Sequence, residues 1–523
     1  MRHDCHPVPR DDPLLTLSQF IAQAEEKLNE CITVPFEPEP QIDRICGPGV
    51  DPAFDQLIVA LGHIASPRPK ALIDSMMLWR KSKSDAANEA RSQLQQMRGT
   101  QPGGPLLRRN TEPVQGVPGE GPLNSANGTS KQEFVAQQER RSTVSIYILC
   151  RVLLEVICQS NLASITPEME DKLESIIFGQ LKIADSEQLT YSPLKMANWN
   201  LFAQLLGHMS DINFAGVTRR FIEDLDASLQ ERVVKSPTSS AARDAEGKVD
   251  LVLGGMKHLR VKISPEGAWE ESCDFLVSLG RLFNRSHGPR VKTAFCQIID
   301  TLLLPIAAKA SNSHLMHPKW SEVLSAIGPR LAQMFIKPRH WAVAFPLTAT
   351  MLCVSSPDSF GSQWLQLVLS LQTKIKDRFS KPLCLQVISR LVWTYLYRTN
   401  DSFQTSVRKL DDVMKLVLPT PKRGLLSFDP AITDPLIQII RIIGFKYPEY
   451  CFRTVIFPLI NAELFVTNKE LRVEQLEPDR IVVGIRAFLC IMSDLEKGAQ
   501  GQPPFPNIMT IKRRPRGFQH RRY

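Results

Sequence analysis

From residue 139 to about residue 494 the chain repeats one pattern, in which an apolar segment of helical length and a short break marked by Pro, Gly or Asp are followed by another apolar segment. The alternation of apolar and polar residues that indicates a strand is almost absent. Successive pairs of segments are spaced irregularly, by about 35 to 50 residues, which favours the HEAT or armadillo class over stricter, shorter repeats. The pattern predicts an all-α fold, an α-solenoid of HEAT/armadillo-like helical hairpins.

In such a stack each helical hairpin leaves an apolar face that only its neighbours can cover. The expected product is therefore an extended binding surface and not an enclosed pocket. The length of 523 residues is consistent with stacking, because it exceeds what one compact core usually organises. No consensus repeat signature is present, so the prediction rests on periodicity.

The composition changes along the chain and predicts five regions. Residues 99–131 are rich in Gly, Pro, Asn and Ser and bury too little apolar surface to offset their conformational entropy, which predicts a disordered insert. The regions are a disordered N-terminus (1–13), the first solenoid helices (14–83), the insert (84–138), the repeat region (139–498) and a disordered basic tail (499–523). Within the repeat region, residues 236–247 are predicted to be a polar loop.

Two local signals predict helices in detail. Val144, Ile148, Val152 and Val156 form one row at i, i+4 spacing, which predicts a helix with a wide apolar face. Thr166 followed by Pro167 is a helix-start signal, with Thr as N-cap and Pro in the first turn.

The 11 cysteines lie mostly inside apolar segments and include no CxxC pair, which is typical of reduced core residues in an intracellular protein. Residues 1–12 lack the charged and then apolar profile of a signal peptide. Apolar runs are interrupted, as residues 302–308 are by Pro305, and none reaches the roughly 20 residues of a membrane span. These features predict a soluble, cytoplasmic protein with no direct membrane insertion.

The net charge of +9 raises the question of nucleic-acid binding. Six basic residues and no acidic one lie in residues 507–523, and without them the net charge falls to +3. A nearly balanced body lacks the concentrated charge that phosphate contacts require, so we expect no nucleic-acid partner.

The sequence contains no recognised catalytic, cofactor-binding or metal-binding motif. We therefore expect no catalytic residue, no cofactor site and no metal site, and a protein that is not an enzyme. His314 and His317 have a spacing that could present two metal ligands on a helix, but no acid or Cys lies nearby in the sequence. Gly254-Gly255 matches no phosphate-binding pattern. Five tryptophans at roughly repeat-length intervals indicate packing between helices and not a ligand cage. They are Trp269, Trp320, Trp341, Trp364 and Trp393.

Two candidate phosphorylation sites remain. Thr111 follows Arg108-Arg109-Asn110 in the predicted insert, and Ser236 precedes Pro237 in the predicted loop. A phosphate there would add nearly two negative charges and could recruit an Arg cluster or repel an acidic surface. Arg219-Arg220, beside Phe221, and Arg390, beside Leu391, are candidates for the basic rim of a site for an acidic helix. The simpler interpretation of these arginines is a solvated face.

Several linear segments resemble one family. They are Met76 to Lys81 (MMLWRK), Gln138 to Arg141 (QERR), residues 142–159 (STVSIYILCRVLLEVICQ), residues 178–182 (FGQLK) and residues 214–226 (FAGVTRRFIEDLD). The chain is identified by them as similar to the N-terminal region of the Furry family of cell morphogenesis proteins, in its fungal form. The resemblance covers residues 14–506. Residues 507–523 do not resemble the family's continuation.

The resemblance implies a very large scaffold that works with NDR-type kinases and their Mob coactivators in polarised growth. It also implies a cytoplasmic location at the cell cortex or at sites of polarised growth. Members of the family are several times longer than this chain. A karyopherin-like or other HEAT-repeat transport adaptor has the same architecture and is the alternative, and an enzyme with an unrecognised site is a third hypothesis. The oligomeric state is left open by the sequence.

Overall fold

The computed structural model describes residues 13–34, 39–99, 124–160, 165–234, 240–418, 429–461, 476–498 and 503–505. Every regular element in these ranges is helical and none is a strand, which confirms the all-α prediction. Three of the predicted regions lie wholly or partly outside the described residues. These parts are residues 1–12 of the predicted N-terminus, 100–123 of the predicted insert, and 499–502 and 506–523 of the predicted tail.

The helices form two compact units, one of Met1–Val217 with Thr238–Leu259 and one of Thr218–Pro237 with Arg260–Tyr523. Those that begin in the first unit are α1 (Pro13–Thr33), α2 (Asp43–Cys46), α3 (Pro52–Ala65), α4 (Pro69–Gly99), α5 (Asn124–Gln159), α6 (Pro167–Ile183), α7 (Ser186–Tyr191), α8 (Pro193–Ile212), α9 (Phe214–Val234) and α10 (Ser240–Gly255). A 3₁₀ turn, Met256–His258, follows α10.

The second unit continues with α11 (Glu266–Arg285), α12 (Pro289–Lys309), α13 (Asn312–Leu315), α14 (Pro318–Phe335), α15 (Pro338–Cys353), α16 (Pro357–Leu369), α17 (Lys381–Arg398), α18 (Phe403–Val417), α19 (Pro430–Lys446), α20 (Pro448–Cys451), α21 (Phe457–Leu459) and α22 (Pro478–Lys497). A π-helical turn, Phe452–Ile456, joins α20 to α21.

Helix α5 is the centre of the first unit and packs against α1, α3, α4 and α8. The predicted row of Val144, Ile148, Val152 and Val156 is fully buried, so the helical periodicity located this core helix correctly. Two arginines of α5 also fix the chain around α2. Arg140 Nη1 donates to the carbonyl oxygen of Val34 at 2.8 Å, and Arg151 Nη1 donates to that of Cys46 at 2.6 Å.

Helices occupy both ends of the segment predicted to be a disordered insert. Helix α4 continues to Gly99, and α5 begins at Asn124. Ala87 and Ala90 on α4 are buried, and Arg91 Nη2 lies 2.6 Å from Glu139 Oε1 of α5. The sequence alone missed this part of α4 because its mean composition is polar, whereas packing of a narrow alanine face stabilises it.

The predicted polar loop over residues 236–247 is also corrected in part. Helix α10 begins at Ser240, and Ala242 and Ala245 on it are buried. Gly247 lies inside this helix, where a Cβ atom would come 2.7 Å from Ser186 Oγ of α7. A larger residue there would need the Ser186 side chain to turn away, and the alanines stabilise the helix around the glycine.

Most of the helices have a proline as their first residue, and a proline can also lie inside a helix. Thr166 Oγ1 accepts a hydrogen bond from the backbone N–H of Met169, and Pro167 is the first residue of α6, as predicted. Pro305, in contrast, does not end α12, which continues to Lys309. Leu302 and Ile306 on either side are buried, so packing outweighs the cost of the missing backbone hydrogen bond.

Two helical segments are long and apolar enough to cross a membrane by length and composition, which corrects the prediction that no apolar run reaches this length. They are Lys131–Gln159 in α5 and Pro289–Lys309, which is α12. Of their apolar windows, 61% and 56% are buried against the rest of the protein. Helix packing therefore accounts for much of their apolar character.

Candidate peptide-binding groove

The two candidate phosphorylation sites, Thr111 and Ser236, lie outside the described residues and stay predictions. Of the three arginine candidates for a basic rim, Arg219 is exposed on α9 and Arg220 beside it is half-buried. Arg390 is not on a rim, because its guanidinium Nη1 lies 3.5 Å from Asp300 Oδ2 and donates to Thr350 Oγ1 at 3.4 Å inside the second unit.

The tryptophans lie mostly in the core of the second unit, in accordance with the packing interpretation. Trp269 stacks on Trp320 with ring centroids 5.0 Å apart, and Trp364 stacks on Tyr395 at 4.3 Å. Trp320 Nε1 donates to the carbonyl oxygen of Val354 at 2.8 Å. Trp393 differs from these three because it also lines a cavity.

Trp393 and Tyr397 form an aromatic wall near the C-terminal end of α17. They are one turn apart, and their rings stack with centroids 5.2 Å apart and planes at 25°. The Arg398 guanidinium lies 5.9 Å from the Trp393 ring, and Lys446 Nζ of α19 lies 5.4 Å from the Tyr397 ring. The two cations lie within cation–π distance of the rings and add positive charge to the wall.

A cavity of about 330 Å³ adjoins this wall. Its lining consists of Ala308, Ala310, Ser311, Asn312, Trp393, Tyr397, Arg398 and Asn400. Arg398 is held in place because Nη1 donates to the carbonyl oxygen of Cys353 at 2.8 Å and Nη2 donates to that of Ala307. The cavity thus combines two fixed aromatic rings with several polar side chains, and most of its exposed lining is polar.

The chain's own Phe505 is seated on Trp393. The two rings meet edge to face with centroids 5.5 Å apart and planes at 90°, and the Phe505 side chain is 6% exposed. Pro503 and Pro504 come directly before it. Proline-rich segments favour an extended conformation with little entropy left to lose, and aromatic grooves are a common site for them. We call Trp393, Tyr397, Arg398 and the adjoining cavity the Trp393 groove.

The hydroxyl of Tyr397 is buried and has no hydrogen-bond partner among the described residues. Burial raises the pKa of Tyr397 to about 12, and the charge of Asp494 adds to the shift. The hydroxyl is therefore protonated at neutral pH. Ser311 in the lining has its Oγ 2.6 Å from His314 Nδ1, and this pair belongs to the capping box at the start of α13.

Sequence reasoning missed this groove for a physical reason. Trp393 has the spacing of a packing residue, and Phe505 is far from it in the chain. The one available signal was the Pro503-Pro504-Phe505 sequence, which is typical of an extended segment that docks on aromatic side chains.

The chain is similar to one protein family and to two curated fungal proteins. A family model described as Cell morphogenesis N-terminal matches residues 139–522. The chain is 31% identical to Cell morphogenesis protein PAG1 of Saccharomyces cerevisiae over 551 aligned positions, which cover 94% of this chain and 22% of the relative. It is 29% identical to Cell polarity protein mor2 of Schizosaccharomyces pombe over 454 positions, which cover 86% of this chain and 18% of the relative.

The chain therefore spans about a fifth of the length of these curated relatives, the shares being 22% and 18%. No solved structure matches it. The family match includes residues 507–522, which corrects the prediction that the sequence after Pro506 departs from the family.

Proposed function

Because this chain belongs to the Furry family of cell morphogenesis proteins, with its match in their N-terminal region, we propose that it is a non-enzymatic scaffold for protein interactions in cell morphogenesis and polarised growth. The observation that carries the proposal is the family match itself, which covers residues 139–522. The two relatives are named for cell morphogenesis and for cell polarity, and neither name describes an enzyme.

The scaffold is proposed to be an α-solenoid, and the helix contacts within the second unit support this. One series of neighbours runs from α12 to α15, α17, α19 and α22, while α11 packs on α14 and α16 packs on α18. Each helix in the series contacts the next, and the contacts between helices close in sequence are those expected of stacked hairpins. Such a stack offers partners a surface assembled from several helices.

The proposed partners are an NDR-type kinase and its Mob coactivator, and the resemblance to the Furry family is what supports them. The Trp393 groove is the candidate contact for a proline-rich, aromatic segment of a partner, because the chain's own Pro503-Pro504-Phe505 is seated there. The proposed location is the cytoplasm, concentrated at the cell cortex or at sites of polarised growth. Names that refer to polarity and morphogenesis support this location.

Proximity labelling in growing cells tests the proposal. The chain is fused to a labelling enzyme, and the same fusion with Trp393→Ser serves as the matched control for the groove. Enrichment of an NDR-type kinase and a Mob protein would support the scaffold. Enrichment of a small GTPase and transport cargo without the kinase would favour the transport-adaptor alternative instead.

A further inference from the structure

Two acids of α11 and one histidine that precedes α14 lie together in the second unit. One potential ligand atom from each of Glu266, Glu270 and His317 lies within 4.8 Å of the other two. The glutamates are four residues apart, so they share one face of α11. His317 is the residue before Pro318, which begins α14. We call these three residues the Glu-Glu-His cluster.

The structure gives the two histidines different surroundings. His314 Nδ1 lies 2.6 Å from Ser311 Oγ and 3.3 Å from the Ser311 backbone nitrogen, as part of a capping arrangement for α13. Its ring also meets Trp269 edge to face with centroids 5.9 Å apart. His314 is thus engaged in local structure. The acids that the sequence around His317 lacks come from α11, which lies much earlier in the chain.

His317 carries a second observation that points to a ligand. Its Nδ1 atom is buried and has no hydrogen-bond partner among the described residues. Buried polar atoms are normally paired, so this ring nitrogen is available to a ligand. A metal ion is one partner that takes both an imidazole nitrogen and carboxylate oxygens.

We propose that Glu266, Glu270 and one ring nitrogen of His317 bind a Zn²⁺ ion that ties α11 to the start of α14. Zinc takes such ligands at about 2.0 to 2.2 Å, with four ligands in all, so a water molecule completes the set. The ligand atoms must therefore approach one another by roughly 1 to 2 Å. Glu266 is exposed, so its side chain can make this rotation without disturbing the packing.

Lys319 shows how the charges rearrange when the ion binds. Its Nζ lies 3.2 Å from Glu270 Oε2 and 3.0 Å from Asp274 Oδ2. When Glu270 turns to the metal, Lys319 keeps Asp274 as its partner, so no charge is left unpaired. The two glutamates of the cluster together outweigh the one lysine, which favours a divalent cation.

The donor set selects among cations. Magnesium and calcium require six or more oxygen ligands, whereas an imidazole favours zinc and its transition-metal neighbours. Cobalt(II) is a useful probe, since it takes similar ligands and absorbs visible light in four- or five-coordinate sites.

The test is calorimetric titration of the chelator-treated, full 523-residue chain with ZnCl₂ and, separately, with MgCl₂. The Cys158→Ser background is used because Cys158 Sγ lies 3.3 Å from His208 Nδ1, and that pair could bind zinc by itself. The variants are Glu266→Gln and His317→Ala. His287→Ala, at an exposed histidine of the same unit, is the matched control.

We expect the equivalent of Zn²⁺ that the Glu-Glu-His cluster takes to bind the background protein and the His287→Ala control with the same affinity, and Mg²⁺ to bind there at least tenfold more weakly. Glu266→Gln and His317→Ala should each weaken zinc binding at least tenfold, and the visible absorption of bound Co²⁺ should be lost in both. Glu266→Gln keeps the size of an exposed side chain, so it separates ligation from folding. Zinc affinity unchanged in Glu266→Gln and His317→Ala, or equal affinity for Mg²⁺, would overturn the proposal. Neither result depends on the scaffold function.

Discussion

Phe505 meets Trp393 edge to face, with ring centroids 5.5 Å apart, although the two residues are far apart in the chain. Edge-to-face aromatic pairs contribute about 0.5 to 1.5 kcal/mol beyond the burial of their surface. A contact of this size is strong enough to seat an extended segment and weak enough to be exchanged for another. We therefore expect a similar segment of a partner to compete with Phe505 for the Trp393 groove.

Removing the chain's own segment should expose the groove to a free peptide. We expect a synthetic peptide of residues 502–507 (QPPFPN) to bind the Phe505→Ala variant several-fold more tightly than the unchanged protein, because it no longer competes with Phe505. Fluorescence anisotropy of the labelled peptide measures this. The control peptide QPPAPN should not bind. Equal binding of both peptides, or binding that survives Trp393→Ser, would show that the peptide binds elsewhere.

The buried ion pair of Arg390 and Asp300 predicts a pH-dependent loss of stability. Burial raises the pKa of Asp300, and Arg390 acts in the opposite direction. Arg390→Met leaves the carboxylate without its cation, and breaking a buried pair in this way costs about 3 to 5 kcal/mol. Urea unfolding of the variant and of the unchanged protein measures the difference.

The sign of the pH dependence follows from the direction of the shift. In Arg390→Met the pKa of Asp300 rises further in the folded state, above its unfolded value of about 3.9. The folded state then holds a proton that the unfolded state releases, so stability falls as pH rises from that value through the folded pKa. The loss should be smaller near pH 5 than near pH 8, and Asp300→Asn in the same variant should remove this dependence. A loss independent of pH would contradict the account of the pair.

Two glycines of the first unit give a matched comparison of helix packing. A Cβ atom at Gly207 of α8 would lie 2.8 Å from the carbonyl carbon of His258, so Gly207→Ala requires the backbone to move. A Cβ at Gly179 of α6 would meet nothing within 4 Å. We expect Gly207→Ala to destabilise the protein by about 1 to 3 kcal/mol. Gly179→Ala should stabilise it by about 0.5 to 1 kcal/mol.

Thermal unfolding followed by circular dichroism measures both glycine variants. A stabilising Gly207→Ala variant would show that α8 and the turn after α10 are not in close contact, whereas a strongly destabilising Gly179→Ala variant would show that this face of α6 is covered.

Local patterns in the sequence predicted the parts of the fold that depend on neighbours along the chain. The buried row from Val144 to Val156 and the start of α6 at Pro167 follow from helical spacing and from N-capping, so both were predictable. The continuation of α4 to Gly99 was not, because it depends on packing against α5. The continuation of α12 through Pro305 was not predictable either, because a proline in the sequence usually indicates the end of a helix.

The candidate sites depend even more on contacts between distant residues. Spacing could not show that Arg390 faces a buried carboxylate on α12, nor that His317 lies beside two glutamates of α11. The lack of an acid directly beside His317 in the sequence does not exclude a cluster that the fold assembles from distant residues. The resemblance to a family indicated a role in cell morphogenesis. It does not point to the Arg390–Asp300 pair or to the Glu-Glu-His cluster.

Reconstitution with purified components tests the scaffold function most directly. An NDR-type kinase and its Mob coactivator are mixed with the 523-residue chain, and complex formation is followed by size-exclusion chromatography with light scattering. The account predicts that kinase, Mob protein and chain elute together as a complex of defined mass. Elution of the chain apart from both proteins, under conditions in which the kinase and the Mob protein bind each other, would contradict it.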